Sequence, residues 1–167
     1  MNLIVTSGPD DAWLDWGAGP KRAAIGPGGI AIKGGEGDGI TPRGRFPLRE
    51  IFYRADRIAK PIAALPLRAI QENDGWCDAP ADPNYNRLVK LPYPASAERM
   101  WREDHLYDVV AVIGFNDDPV MPGKGSAIFL HYARPDFSPT AGCVALRRED
   151  LVEALEQFQP ADRVIIE

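Results

Sequence analysis

Two cysteines and two histidines occur in the 167 residues, and one of each stands where it could do nucleophilic chemistry. Gly125-Ser126-Ala127-Ile128-Phe129-Leu130-His131 is an apolar run that delivers an imidazole at its end. A polar, proline-containing segment from Tyr132 to Pro139 follows, and Thr140-Ala141-Gly142-Cys143-Val144-Ala145-Leu146 opens the next apolar run on a Gly-Cys pair. Cysteine attacks as the thiolate and has a free pKa near ~8.5, so an adjacent imidazole must take its proton or pair with the sulfur. Twelve positions separate His131 from Cys143, enough for a strand-loop-strand return that brings them within hydrogen-bond reach. Gly142 has no side chain, which lets a substrate carbonyl approach the backbone amides of Gly142 and Cys143 as an oxyanion site. Thr140 adds a hydroxyl beside the same turn. Each residue also has a plainer role open to it: a small buried hydrophobe for Cys143, a hydrogen-bonded structural side chain for His131.

Other candidates are more scattered. In Asp74-Gly75-Trp76-Cys77-Asp78 and Tyr85-Asn86-Arg87, Trp76 and Tyr85 offer apolar walls and Arg87 a carboxylate clamp, unless the segment is only a packed surface loop. Arg134 and Arg147, with Arg148, flank the His-Cys block and could bind the carboxylates of an acidic peptide. His105, between Asp104 and Leu106, reads as a solvated or capping residue. A Cys2His2 zinc site would need Cys77, His105, His131 and Cys143 together, without the short spacings such sites use, so neither metal nor cofactor is expected.

Short apolar runs must position these residues. Leu3 to Val5, Ala12 to Trp16, Ala23 to Ile25, Ile30 to Ile32 and Phe46 to Tyr53 read as strands, punctuated by Gly-Pro turns. Val109 to Gly114 and Ala127 to His131 read as central strands, and Arg163 to Ile166 as a closing one. One helix is expected from Ser96 to Trp101 on a serine cap. A second follows Leu146, with Leu151, Val152, Leu155 and Phe158 on one face and Glu149 and Asp150 near its positive end. Residues 71–94, rich in Pro, Asn and Asp, read as a functional loop or lid.

Composition agrees with a folded β-rich chain. Hydrophobic residues are 45% of the total, which excludes global disorder. Sixteen Gly and sixteen Pro make about 19% of the chain against roughly 12% on average, which disfavours long helices. The expected fold is mainly β, a sandwich or partly closed barrel with a few short helices, and residues 1–167 read as a single domain. A net charge of −5 repels phosphate backbone, so nucleic acid is not an expected partner. No run approaches the ~18 apolar residues of a transmembrane segment. Gly8-Pro9-Asp10-Asp11 interrupts the N-terminus before a signal-peptide core could form, so either no cleavable signal exists or the chain begins after it. Two cysteines make a disulfide framework improbable.

The His131 to Leu146 block resembles the active-site signature of the L,D-transpeptidase catalytic domain, the YkuD-like family that cross-links bacterial peptidoglycan through a cysteine. Thr41-Pro42-Arg43-Gly44-Arg45-Phe46 is similar to that family's Thr-Pro-x-Gly-x-Phe stretch, ninety residues earlier, and the resemblance runs from Leu3 to about Leu155. It implies a thioester-forming nucleophile at Cys143, a base at His131 and an oxyanion site around Gly142. It also places Thr140 at the family's Ser or Thr before the Gly-Cys pair. The chain departs from the pattern with a shorter spacer after the histidine, Tyr132 for Gly, Ala141 for His and Ala145 for Arg; a backbone carbonyl near Tyr132 could still hold the imidazole. The implied activity is acyl transfer on a peptidoglycan stem peptide or related peptide, and the implied inhibitors include carbapenems, known for acylating the family. A carboxypeptidase or amidase hydrolysing the same thioester, or a non-catalytic wall-binding module, is the alternative. The family points to periplasm or cell wall, and the missing signal leaves a cytoplasmic location open.

Overall fold

Alternating apolar residues in strands bury two faces at once when a sheet is covered on both sides, and the central strands of this protein do so. The computed structural model describes residues 1–167. In chain order the elements are β1 (Leu3–Ser7), β2 (Ala12–Asp15), β3 (Lys21–Ala24), β4 (Ile30–Ala31), β5 (Thr41–Pro42), β6 (Gly44–Phe46), β7 (Leu48–Tyr53) and β8 (Leu67–Ala69). They continue as β9 (Asp74–Cys77), β10 (Leu88–Lys90), β11 (Ala97–Arg99), β12 (Val109–Ile113), β13 (Phe129–Tyr132), β14 (Val144–Leu146), α1 (Arg148–Gln157) and β15 (Val164–Ile166).

Ten strands form one curled sheet in the order β6-β15-β1-β2-β3-β14-β13-β12-β7-β8, a half-barrel. The protein is therefore mainly β, with the partly closed barrel rather than the sandwich as its form. No helix is long and apolar enough to cross a membrane. Along β13 the side chains alternate. Leu130 and Tyr132 join the larger core with Leu151, Ala154, Leu155 and Phe158 of α1, while Phe129 faces a second core with Trp76, Met100 and Tyr107. Each fully buried large side chain there contributes roughly 1.5–3 kcal/mol of burial free energy. Val109, Ala111 and Ile113 of β12 face the helix side, and Val110 and Val112 the other.

The second layer is a three-stranded sheet, β10-β9-β11, and it corrects two expectations. Residues 71–94 are not an open lid: β9 and β10 lie within them, and all four residues of β9 are buried. The Ser96 to Trp101 helix does not form; β11 occupies that stretch and pairs with β9, Glu98 opposite Trp76. Pairing with a buried strand outweighs the weak helical preference of so short a segment.

The single helix is the one expected after Leu146. It starts without a side-chain cap at Arg147 but carries Glu149 and Asp150 in its first turn, where carboxylates favour the helix dipole. It ends when Phe158 turns extended, two residues before Pro160.

Candidate active site

β13 and β14 run parallel with Leu130 opposite Val144 and His131 opposite Ala145. Extending that register by one residue sets Cys143 beside Phe129, so Cys143 and His131 are diagonal neighbours on one sheet face. Both line a cleft of 270 Å³ between the large sheet and the small one, together with Thr140, Ala141 and Arg134. The small buried Ala145 sits next to the imidazole.

His131 is 5% exposed. Its Nδ1 lies 2.8 Å from the Tyr132 carbonyl oxygen, and a carbonyl only accepts, so Nδ1 carries the proton and Nε2 keeps the lone pair. The Tyr107 ring packs edge-on against the imidazole at 5.3 Å. Burial, with Arg102 and Arg134 adding repulsion, lowers the His131 pKa to about 4. His131 is thus a neutral, oriented imidazole at pH 7.

That shift ties stability to pH. The unfolded chain, with an ordinary imidazole near 6.5, takes up a proton before the folded protein does. The stability conferred by a neutral His131 is complete above about pH 6.5 and is lost as pH falls toward 4, by about 3 kcal/mol in all. Denaturant titrations at pH 7 and pH 4.5 check this: the loss of stability should be smaller in His131→Ala than in the wild type.

Cys143 is 7% exposed and its sulfur lies among apolar side chains. The thiol donates to the Ala127 carbonyl oxygen at 3.2 Å, and Sγ accepts the Phe129 N–H at 3.4 Å. Ala127 holds the left-handed conformation (φ 53°) at this point, a local strain paid for by the surrounding structure. Burial, with the nearby charge of Glu98, pushes the Cys143 pKa up to about 12. Thiol and imidazole are both neutral at rest and share no hydrogen bond, the sulfur's proton lying on the Ala127 carbonyl instead. Cys77 is also a free, buried thiol, and the two are not bridged.

The turn before Cys143 is fixed by Thr140, whose hydroxyl donates to the Cys143 carbonyl oxygen at 2.7 Å and accepts the Gly142 N–H at 3.1 Å. Of the two amides expected to face an oxyanion, Gly142 is therefore already engaged. The Cys143 N–H makes no hydrogen bond within the chain. Gly142 stands at φ 136°, and a Cβ there would lie 2.8 Å from the Ile40 carbonyl oxygen. Gly142→Ala should cost about 2 kcal/mol of stability, from a strained backbone plus a backbone clash, which a denaturant midpoint at unchanged slope will show.

The ninety-residue gap between the two motifs closes here. A Cβ on Gly26 would lie 2.1 Å from the Gly39 carbonyl oxygen and 3.2 Å from the Gly142 Cα. The Thr140 N–H donates to Ile25 (3.0 Å), and Thr41 Oγ1 accepts the Gly26 N–H (2.9 Å). Thr41-Pro42 and its preceding glycines thus support the Gly142-Cys143 turn from behind.

The remaining sequence candidates divide. Arg134 lines the cleft. Tyr132 contributes its carbonyl oxygen only, because its side chain packs on the α1 side, 5.4 Å under Arg148. Trp76 is not a cleft wall: it is buried edge-on against Phe129 (5.1 Å) and donates its indole N–H to Asn86 Oδ1 at 2.9 Å. Tyr85 is 2% exposed, its hydroxyl bonded to Glu36 and to the Gly125 N–H (2.9 Å). Arg87 borders a separate groove with Glu50 and Asp117, and Arg147 lies over Phe137, 5.8 Å from its ring; neither lines the cleft. His105 is exposed and bonded to Asp108 Oδ2 at 2.8 Å.

Sequence reasoning missed Lys33, Glu98, Arg102 and Tyr107, all lining the cleft. Asn86 was named only as a neighbour, yet its Oδ1 also accepts the Ala127 N–H at 3.0 Å and so fixes the loop whose carbonyl holds the thiol. Strand alternation would have exposed Glu98, had residues 97–99 not read as helix.

No curated protein and no solved structure matches the chain. The family model of the L,D-transpeptidase catalytic domain, YkuD, matches residues 8–166, nearly the whole length. With a cysteine, a carbonyl-held histidine and a glycine-supported turn meeting at one cleft inside that match, the chain belongs to the L,D-transpeptidase catalytic domain family, whose members are enzymes that act on peptidoglycan peptides.

Proposed function

We propose that residues 1–167 form one catalytic domain that transfers an acyl group from a peptidoglycan stem peptide through a thioester at Cys143. The observation that carries this reading is the tautomer of His131. With Nδ1–H held by the Tyr132 carbonyl, Nε2 is free to accept the thiol proton from a residue on the same wall of the cleft. As a substrate carbonyl enters, Sγ attacks its carbon while the proton passes to Nε2, and the Cys143 N–H is placed to meet the developing oxyanion. His131 then returns that proton to the departing amine, leaving the thioester. In the second half an acceptor amine attacks and gives its proton to Nε2, the C–S bond breaks, and Nε2 passes that proton to the departing sulfur, restoring the thiol and the neutral imidazole. Coupling proton loss to attack suits a thiol whose resting pKa is far above neutrality.

Intact-mass analysis with a synthetic tetrapeptide tests this. An acyl adduct on Cys143, and a new amide when a free amine is added, is the expected result. Loss of one residue without amide formation would overturn transfer in favour of a carboxypeptidase, and an unchanged peptide would favour a binding module.

A further inference from the structure

Lysine is rarely withdrawn from water, yet the Lys33 side chain is only 3% exposed. It follows Ile32, which is 84% exposed, so the chain turns its apolar residue outward here and its charged one inward. Lys33 Nζ donates to Asp38 Oδ1 at 2.5 Å and to the Ile40 carbonyl oxygen at 3.1 Å. An ammonium has three N–H donors, and the third has no partner within the chain. Gly125 makes room for the stem, since a Cβ there would lie 2.5 Å from Lys33 Cε.

This ion pair is oriented. Lys33 lines the cleft with His131 and Cys143, and Asp38 does not. The Asp38 carboxylate is 22% exposed and accepts the N–H groups of Gly34, Gly35 and Ile40 in its own loop. The positive end of the pair therefore meets the cleft. Its seat is the main chain under Cys143, because the Ile40 oxygen that accepts Nζ is the one against which Gly142 packs.

The other charges at the cleft differ in kind. Arg102 is tied to Asp104 at 2.6 Å with its side chain 30% exposed, and Arg134 is exposed, so water and salt screen both. Glu36, Asp78 and Glu98 are the carboxylates that line the cleft, and Tyr107 and His131 are neutral. Burial and the Glu98 charge raise the Cys143 pKa, while the Phe129 N–H and the Lys33 charge lower it. Lys33 is thus the one buried cation set against the sulfur.

We propose that the Lys33 ammonium is the counter-charge for the negative charge that passes from the Cys143 sulfur to the substrate oxygen during acylation. This rests on Cys143 being the nucleophile and adds the cation that steadies its anionic states. Alkylation of Cys143 by iodoacetamide, located by peptide mass, tests it without any peptide substrate. Lys33→Met keeps the stem and removes the charge, and should slow alkylation at a fixed pH about tenfold, with the pH profile displaced upward by about one unit. A lysine that served packing alone predicts the reverse, because a loosened loop exposes the sulfur and speeds alkylation. Lys33→Gln, which can still donate to Asp38, repeats the measurement should Lys33→Met fail to fold. Lys33→Arg keeps the charge and should stay within about threefold of the wild type. Unchanged or faster alkylation in the neutral variants, or equal slowing in Lys33→Arg, would overturn the proposal. Acylation of the wild type by a tetrapeptide is read separately by intact mass, so failure of the thioester reading and failure of the Lys33 counter-charge give different results.

Discussion

Cys143→Ala should reduce acyl transfer by at least about 10⁴-fold while the protein remains folded, because the substitution deletes the only sulfur that lines the cleft. The fold should tolerate the change. The lost atom takes with it one long N–H···S contact at 3.4 Å and one thiol donor, and the neighbouring Phe129 and Trp76 rings keep their packing on each other. Stability should therefore move by no more than about 1 kcal/mol. A carbapenem offers a second measurement: opening a strained lactam places an oxyanion against the Cys143 amide. Wild type should gain one drug mass and the variant none. Full turnover in a folded Cys143→Ala protein would remove the thiol mechanism. An adduct that persisted would point to Cys77, which is 0% exposed and whose pKa burial also raises.

His131→Ala should lower kcat/KM at least ~100-fold, the low end for loss of a general base. The pH profile says more than the rate. In the wild type the working form is the neutral imidazole, so activity should hold through pH 6 and fall only as His131 is protonated, with its acid inflection well below 6.5, toward 4. That inflection should vanish in the variant. If it stays, another group is the base. His105 is poorly placed for the role, being exposed and paired with Asp108 in a different pocket.

The sequence exposed the chemistry better than the walls around it. That His131 and Cys143 meet at one cleft was legible because each stands at an end of an apolar run, and both runs became strands, β13 and β14. The long central strands and α1 were legible from periodicity. The small sheet was not, since β9, β10 and β11 have three or four residues each and owe their form to pairing across a Pro- and Asn-rich segment. That one error hid Glu98, turned the 71–94 stretch into a lid and put Trp76 and Tyr85 on a cleft they do not line. The departure at Tyr132 leaves the imidazole held, because what holds it is a main-chain oxygen that any residue supplies.

The contact of Gly26, Gly39 and Gly142 reaches past the site into how the enzyme comes to be active. The Gly142-Cys143 turn rests on main chain from residues 25 to 40, so it has no finished shape until two parts of the chain a hundred residues apart have met. A nascent or partly unfolded chain carries the Cys143 thiol but lacks the backbone floor on which its turn rests. Contacts of such long sequence separation form late and slowly. Activity should therefore appear on refolding with the last kinetic phase, after most secondary structure is in place, making catalysis itself a reporter of the completed topology.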